Sequence, residues 1–264
     1  MAGPQLHAPR IVLGNPPELV VYDREQPCPY LRERISRLPL RLPSRPLTQA
    51  ELDERLARGD RRQGFVLYKP NCPSCSACEA IRIDVAAYQP NTTQGRTLRR
   101  GDRELTMRVG PPSVDQRRVD IYNAHKAGRG LRDGQPPIDT DGYRDFLVAS
   151  CCDTFELSYW LGATLIGVAI VDRSETSLSA VYCCYDPAYS RYGIGTYSIL
   201  KQLELCRQWG LGHLYLGLYI AECSTMTYKA RFLPHERLVG GHWVTFEAPA
   251  QPTPESERPH RPIE

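Results

Sequence analysis

The chain has 264 residues, of which 41% are hydrophobic and 24% charged, so it is long enough to bury one large core or two smaller ones. It contains no apolar run of about 18 residues, and residues 1–10 lack the basic and apolar regions of a secretory signal. We therefore expect a soluble cytoplasmic protein with no membrane partner, in which the ten cysteines do not form a disulfide framework.

The net charge of +3 is unevenly distributed along the chain. Up to Gly110 there are 18 basic and 12 acidic residues, whereas the remainder has 15 basic and 18 acidic residues. The basic residues of the first part include Arg61, Arg62, Arg96, Arg99, Arg100, Arg103 and Arg108. They would contact phosphates if folding gathers them on one surface, and the alternative is an ordinary solvated face.

The N-terminal part begins with prolines, which predict irregular connections up to about residue 47. Thr48 is a predicted helix N-cap, with Glu51 at the capping-box spacing and Gly59 placed to end the helix. A helix over 49–58 and strands over 64–68 and 80–85 are the elements predicted here.

A polar stretch at Gly110-Pro111-Pro112 marks the predicted boundary between two domains. Beyond it the pattern predicts helices over 114–126 and 140–150, strands over 155–161, 164–171 and 178–185, a helix over 195–209 and a strand over 213–219. The three successive strands form an antiparallel meander, and the last strand, helix and strand form a βαβ unit. We predict an α+β fold with domains at 1–110 and 111–247 and a disordered tail at 248–264.

Three cysteines, Cys72, Cys75 and Cys78, follow the C-x2-C-x2-C spacing, which lets three thiolates meet at one centre. A fourth ligand has to come from elsewhere, and Cys28 is the best candidate. Thiolates suit both zinc and an iron-sulfur cluster, so either cofactor is possible. The alternative is a loop with unligated thiols.

Between the last meander strand and the following helix the chain reads Arg191-Tyr192-Gly193-Ile194-Gly195-Thr196. This R-x-G-x-G form is similar to the phosphate-binding loop of acyl-CoA N-acetyltransferases, with one residue fewer before the first glycine. Glycines let main-chain amides approach phosphate oxygens, and a helix N-terminus favours negative charge. Arg191, Gly193, Gly195 and Thr196 are therefore candidate phosphate-binding residues, and glycines that only form a turn are the alternative.

Taken together, these segments resemble the bacterial aminoacyl-tRNA-protein transferases, the leucyltransferases for N-terminal Asp and Glu and their arginyltransferase relatives. The resemblance covers nearly the whole chain. It is carried by Cys28-Pro29-Tyr30-Leu31, Tyr68-Lys69-Pro70-Asn71-Cys72, Leu165-Ile166-Gly167-Val168-Ala169, Tyr185-Asp186-Pro187, Gly195-Thr196-Tyr197 and Tyr228-Lys229. It implies a Cys-bearing N-terminal domain joined to a core similar to the N-acetyltransferase (GNAT-like) fold.

The implied reaction is attack by a protein's N-terminal amine on the ester that joins Leu or Arg to its tRNA, which feeds N-degron protein degradation. Charged tRNA is then the co-substrate, and no nucleotide cofactor is needed. Tyr185 and Asp186, at the end of a strand, are the candidate catalytic residues for positioning the terminal adenosine or handling a proton, and a turn-forming Asp-Pro is the alternative for Asp186.

Selection of a protein that begins with Asp or Glu requires a cationic side chain. Arg62, Lys69 and Lys229 are the candidates. Two other functions remain open for the whole chain, an acyl-CoA N-acetyltransferase and a non-catalytic zinc-dependent RNA-binding protein.

Overall fold

A computed structural model describes residues 10–130, 134 and 136–247. Its strands are β1 (Arg10–Val12), β2 (Glu18–Tyr22), β3 (Glu25–Pro27), β4 (Ile35–Arg37), β5 (Leu40–Pro43), β6 (Arg61–Gln63), β7 (Val66–Tyr68), β8 (Glu79–Asp84), β9 (Thr106–Gly110), β10 (Thr154–Leu161), β11 (Thr164–Arg173), β12 (Ser177–Tyr185), β13 (His213–Tyr219), β14 (His235–Val239) and β15 (His242–Phe246).

The α-helices are α1 (Gln49–Ala57), α2 (Thr92–Glu104), α3 (Gln116–Gly128), α4 (Thr140–Tyr143) and α5 (Ile194–Trp209). A π-helical turn, Arg144–Val148, continues α4, and two 3-10 segments cover Pro187–Tyr192 and Thr227–Arg231. The expected mixture of helices and strands is confirmed. Among the described residues, no helix has the length and apolar character needed to span a membrane.

The largest sheet has eight strands in the order β15-β14-β8-β13-β12-β11-β10-β9. Strands β10, β11 and β12 form the predicted antiparallel meander, and β12, α5 and β13 form the predicted βαβ unit with a parallel strand pair. Helix α5 packs on one face of this sheet through residues such as Tyr197 and Leu203, and α3 packs on the other through Val119 and Ile121. The sheet therefore lies between two helical layers.

The large sheet takes strands from both sides of the predicted boundary at residue 110. Strand β8 lies between β14 and β13, and β9 forms the outer edge beside β10. A regular apolar pattern predicted the strands of the meander and of the βαβ unit, whereas β9, β14 and β15 were not predicted. Helix α2 was also missed, because arginines and other polar residues interrupt its apolar pattern.

A second sheet of five strands, β1-β2-β5-β7-β6, and a hairpin of β3 and β4 come from the N-terminal part. The expectation of irregular connections there was wrong, because the prolines lie at or between the ends of very short strands, where they do not interrupt pairing. Thr48 caps α1 through the predicted capping box with Glu51. Leu52 and Leu67 pack in one cluster with Tyr215 of the large sheet, so the two sheets share buried contacts. The predicted disordered tail, 248–264, lies outside the described residues.

Candidate active site between two diverging strands

The central feature of the candidate site is an opening between the parallel strands β12 and β13. The two strands pair at three positions only, Ser177 with His213, Leu178 with Leu214 and Ser179 with Tyr215. Beyond these pairs β12 continues to Tyr185 and β13 to Tyr219 without further pairing to each other. The carboxyl ends of both strands therefore border a wedge-shaped gap, which is the end of an open α/β sheet where ligands commonly bind.

The N-terminus of α5 lies next to this opening and contains the predicted phosphate-binding residues. Gly193 has a left-handed conformation (φ 61°), and a Cβ there would lie 3.3 Å from the side chain of Thr97. No side chain caps α5. The amides of its first turn, which include those of Gly195 and Thr196, consequently lack helical partners and form the positive end of the helix dipole. Arg191 is exposed immediately before this turn.

The two candidate catalytic residues at the end of β12 differ in their surroundings. Asp186 accepts hydrogen bonds from the Ala188 amide at 3.0 Å and from Arg117 Nη2 at 2.8 Å. Asp186 thus takes part in a turn and in an ion pair with Arg117, and its catalytic role stays a prediction. Tyr185 has no such restraint, and its ring lies 4.0 Å from the position of a Cβ on Gly195.

His125, on α3, contacts Tyr185 from the other side of the sheet. The two rings are 4.7 Å apart in an edge-to-face arrangement, and the Tyr185 amide donates to His125 Nδ1 at 3.4 Å. Burial lowers the pKa of His125 to about 4, so the imidazole is neutral near pH 7. His125 was not predicted as a site residue, because one histidine in a helix without metal-ligand spacing carries no functional signal.

A second group of side chains lines the opening near Tyr185. Burial raises the pKa of Tyr228 to about 12. The side chains of Cys183, Arg129 and Tyr185 also affect this pKa, so all four side chains lie in one region. Cys183 packs with the α5 side of the sheet, whereas its neighbour Cys184 packs with the α3 side. The two cysteines face opposite ways, as adjacent strand residues must.

Arg61, on β6, occupies the point where β12 and β13 separate. Its side chain donates from Nη2 to the Ala180 carbonyl at 3.0 Å and from Nη1 to Ser179 Oγ at 3.2 Å, and the residue is 7% exposed. Gly217 of β13 lies directly opposite. A Cβ at Gly217 would approach Arg61 Nη2 to 3.1 Å, and its φ of 87° also favours glycine.

Lys229 adds a second cation beside Arg61. Its Nζ donates to the Leu218 carbonyl of β13 at 2.5 Å. Burial, together with the charge of Arg61, lowers the pKa of Lys229 to about 7. Within residues 10–130, 134 and 136–247, no Asp or Glu forms a salt bridge with either side chain. Arg61 is buried and Lys229 is half-buried, and two neighbouring cations with no carboxylate at salt-bridge distance in the described ranges are a candidate site for an anion.

The other two predicted substrate-binding residues lie elsewhere. Arg62 is 7% exposed and forms a bidentate ion pair with Asp172 at 2.7 and 2.9 Å, while its Nη1 donates to the carbonyls of Gly64 and Ala149. Because four of the five N–H groups of the Arg62 guanidinium are bonded inside the protein, Arg62 joins the two sheets. Lys69 is exposed and donates to the Arg58 carbonyl at 2.6 Å. Of the three candidates, Lys229 alone borders the opening.

The predicted metal ligands lie in one region close to these cations. Burial, together with the nearby thiols of Cys72, Cys28, Cys75 and Cys223, raises the pKa of Cys78 to about 12. The Leu31 amide donates to Cys28 Sγ at 3.4 Å. In the described part of the chain, no three His, Cys, Asp or Glu side chains have an arrangement that holds a metal ion. The fold thus brings the cysteines near one another without forming a closed coordination site.

Comparisons with known proteins agree with this arrangement. A model described as arginine-tRNA-protein transferase, N terminus, matches residues 26–96, and the corresponding C-terminus model matches residues 117–239. An aspartate/glutamate leucyltransferase of Chromobacterium violaceum is 35% identical over 220 residues, which cover 83% of this chain and 90% of the relative. The enzyme with the same name from Thiobacillus denitrificans is 34% identical over 84% of this chain and 92% of its own length.

Among solved structures, L-PGS from Bacillus licheniformis is similar with a TM-score of 0.42 and 10% identity, over 60% of this chain and 52% of that one. FemX gives a TM-score of 0.40 with 8% identity, over 63% and 59%. Similarity this distant supports no conclusion about function. The two family models and the full-length sequence relatives do: the chain belongs to the arginine-tRNA-protein transferase family and is an aminoacyltransferase.

Proposed function

We propose that this protein transfers Leu from charged tRNA to the N-terminal amine of cytosolic proteins that begin with Asp or Glu, and so marks them for degradation. The similarity to aspartate/glutamate leucyltransferases over most of the chain supports Leu as the donor over Arg. The observation that carries the proposal is a pair of cations, the buried Arg61 and the half-buried Lys229, at the opening between β12 and β13.

The chemistry needs little from the protein beyond alignment, because the ester of a charged tRNA is already activated. The substrate's α-amine forms a C–N bond to the aminoacyl carbonyl, the ester C–O bond breaks, and the tRNA leaves with its hydroxyl. The attacking ammonium, whose ordinary pKa is about 8, loses a proton before or during attack. Close placement of amine and carbonyl therefore accounts for much of the rate, and no covalent enzyme intermediate is required.

The tRNA end is assigned to the N-terminal side of α5. There the uncapped amides of Gly195 and Thr196 and the exposed Arg191 offer donors and positive charge to a phosphate. Tyr185 lies between this helix and the opening and offers its ring to the terminal adenosine. In this arrangement the aminoacyl group enters the gap between the diverging strands, which fits a core similar to the N-acetyltransferase fold.

The acidic side chain of the protein substrate is assigned to Arg61 and Lys229. A carboxylate that contacts both supplies a counter-ion, so the cost of holding the two cations close together is offset on binding. An N-terminal Lys would add a third positive charge, and an N-terminal Ala would leave the cations without a partner. The pair therefore favours Asp and Glu against both alternatives.

The two other functions from the sequence have less support. An acyl-CoA N-acetyltransferase would share the phosphate-binding loop, but it has no need for two cations beside the acceptor site. A non-catalytic RNA-binding protein would need neither the opening nor the cations. A transfer assay separates the three functions: Leu-tRNA and Arg-tRNA are tested with peptides that begin with Asp, Glu, Lys or Ala, and acetyl-CoA is tested as an alternative donor. Transfer to Asp and Glu peptides from Leu-tRNA is the expected result.

Acidic-substrate selection should weaken as the pH rises, because Lys229 has a lowered pKa of about 7. Below that pH the side chain is an ammonium and attracts the substrate carboxylate, whereas above it the charge is lost. We expect the ratio of kcat/KM for an Asp peptide to kcat/KM for the matching Asn peptide to fall between about pH 6.5 and pH 9. The ionisation of the attacking amine affects both peptides equally and therefore does not change this ratio. A ratio that is constant over this range would contradict the assignment of Lys229.

We further propose that Cys28, Cys72, Cys75 and Cys78 hold zinc or an iron-sulfur cluster, which would act as a structural cross-link. Thiols are suitable donors for either group. Cys28, Cys72 and Cys75 all affect the pKa of Cys78, so the four cysteines lie near one another. Anaerobically purified protein should contain one of these metals near stoichiometry, and Cys75→Ser should lower both metal content and the free energy of unfolding. Cys206→Ser is the matched control, since that buried thiol packs among apolar residues and α5 holds it away from the four. Unchanged metal content and stability in Cys75→Ser would refute the site.

A further inference from the structure

Helix α2 has two faces of opposite character. Its inner face carries Gln94, Leu98 and Gly101, each separated by three or four residues. Gln94 accepts from Tyr88 Oη at 2.8 Å and donates to the Arg231 carbonyl at 3.1 Å. A Cβ at Gly101 would lie 2.2 Å from the ring of Tyr197, so glycine permits α2 to approach α5 closely. These contacts fix the rotation of α2 about its axis.

The outer face of α2 carries a row of arginines. They are Arg96, Arg99, Arg100 and Arg103, at positions i, i+3, i+4 and i+7, and all four are exposed. This spacing places them on one side of the helix, over about 10 Å of its length at 1.5 Å per residue. Folding thus gathers four of the seven basic residues noted in the N-terminal part. Arg61 and Arg62 are buried instead, and Arg108 lies over the ring of Trp160.

The charge of this outer face is largely uncompensated. Asp102 is turned towards α5, where it accepts from Tyr197 at 3.0 Å and from Lys201 at 3.1 Å. Glu104 pairs with Arg103 at 2.6 Å. For Arg96, Arg99 and Arg100, no acidic partner lies within salt-bridge distance in the ranges that the structure covers. Among the described residues, the face therefore presents three guanidinium groups that have no acidic partner.

The row begins at the phosphate-binding loop. Arg100 Nη1 donates to the Arg191 carbonyl at 2.6 Å, and Thr97 lies against Gly193. Helix α2 is thus the element next to the N-terminus of α5, and its arginines extend the positive surface away from the opening. A nucleic acid whose 3′ end reaches the opening from the side of α2 would pass along this surface.

We propose that the outer face of α2 binds the double-stranded stem adjoining the 3′ end of the tRNA, through its backbone phosphates. The inference rests on the proposed function, because it assumes that the 3′ end enters the opening beside Tyr185. A row of guanidinium groups on one helix face matches a regular phosphate backbone and contacts no base edges, so it recognises duplex RNA by shape and charge. Binding through α2 therefore positions the tRNA without distinguishing one base sequence from another.

The test compares Arg96→Gln/Arg99→Gln with a control that removes the same charge elsewhere, Arg24→Gln/Arg58→Gln, whose arginines are exposed in the N-terminal sheet region. Equilibrium binding is measured for whole tRNA, for a hairpin that contains only the terminal stem and 3′ end, and for the single-stranded 3′ end alone, each at several salt concentrations. Transfer rates at saturating charged tRNA are measured in parallel. Arg96→Lys/Arg99→Lys preserves the charge and tests whether charge is the property that matters.

We expect the Gln variant to bind whole tRNA and the stem hairpin at least about tenfold more weakly. The slope of log Kd against log salt should also decrease by between about 1 and 2, as expected for two lost phosphate contacts. Binding of the single-stranded end and the transfer rate at saturation should match those of the wild-type protein, and the Lys variant should recover most of the affinity.

Hairpin affinity and salt slope equal to those of the control variant would overturn the assignment of α2, as would an equal loss on the single-stranded end. If the wild-type protein transfers Leu and the Gln variant binds normally, only this inference fails. If the wild-type protein transfers no amino acid from any charged tRNA, the proposed function itself fails.

Discussion

Replacing Lys229 by Met should lower kcat/KM for a peptide that begins with Asp by about 100-fold, while the Kd for charged tRNA stays unchanged. Truncation of one member of a buried charged contact costs about 2–5 kcal/mol, and 100-fold corresponds to about 2.7 kcal/mol. Methionine keeps the length and apolar stem of lysine, so the variant removes the charge with little change in packing. Steady-state kinetics with Asp, Glu and Asn peptides measure the effect, which should appear mainly in KM.

Lys69→Met is the matched control for this prediction, because Lys69 is exposed and donates to a main-chain carbonyl beside α1. We expect less than a twofold change in kcat/KM for it. The two cations also act together, so Arg61→Lys, which shortens the reach but keeps the charge, should lower kcat/KM less than Lys229→Met does. An unchanged preference for Asp over Asn in Lys229→Met would show that another residue recognises the carboxylate.

Replacing Asp172 by Asn should lower the free energy of unfolding by about 3–5 kcal/mol, because it leaves the Arg62 guanidinium buried without its counter-ion. Both side chains are 2% exposed, and Thr154 also donates to Asp172 at 2.6 Å. Urea denaturation of the two proteins gives the difference directly. The double variant Arg62→Met/Asp172→Leu removes both charges and should recover much of the lost stability.

The control for Asp172→Asn is Asp141→Asn, which breaks the pair that Asp141 forms with Arg144 on the surface. That pair is largely exposed, so we expect a change below about 1 kcal/mol. This experiment also decides the role of Arg62. Normal stability together with lost selection of acidic peptides in Asp172→Asn would restore Arg62 as a substrate-binding residue.

Elements with strong local signals were predictable from the sequence. The capping box at Thr48 was predicted and found, and β13 spans the predicted residues because it is an apolar run that begins directly after two glycines, Gly210 and Gly212. Helix α2 was not predictable in this way, since its stability comes from a few inward contacts such as Gly101 against Tyr197. The short N-terminal strands depend on partners distant in sequence, which no local pattern reveals.

The candidate site was predictable to a similar extent. The glycine loop before α5 has a local motif, and it lies where the motif indicates. The pair of Arg61 and Lys229 has no local motif. Arg61 and Arg62 are adjacent in a strand and face opposite ways, so the sequence does not show which of them lies at the opening. The distinction depends on Asp172, which is 110 residues away and pairs with Arg62. Lys229 was a candidate, but its importance depends on Arg61 beside it.

Because β12 and β13 pair at only three positions, the two strands that border the opening are stabilised by different neighbours, and they are called its two walls here. The β12 wall is anchored to β11 along most of its length, whereas the β13 wall is anchored to β8 on its far side. Arg61 is bonded to the first wall at Ala180, and Lys229 to the second at Leu218. In the proposed complex, a substrate carboxylate that contacts both cations would therefore link the two strands where they lack main-chain hydrogen bonds to each other, so the acidic residue that is selected would also stabilise the opening.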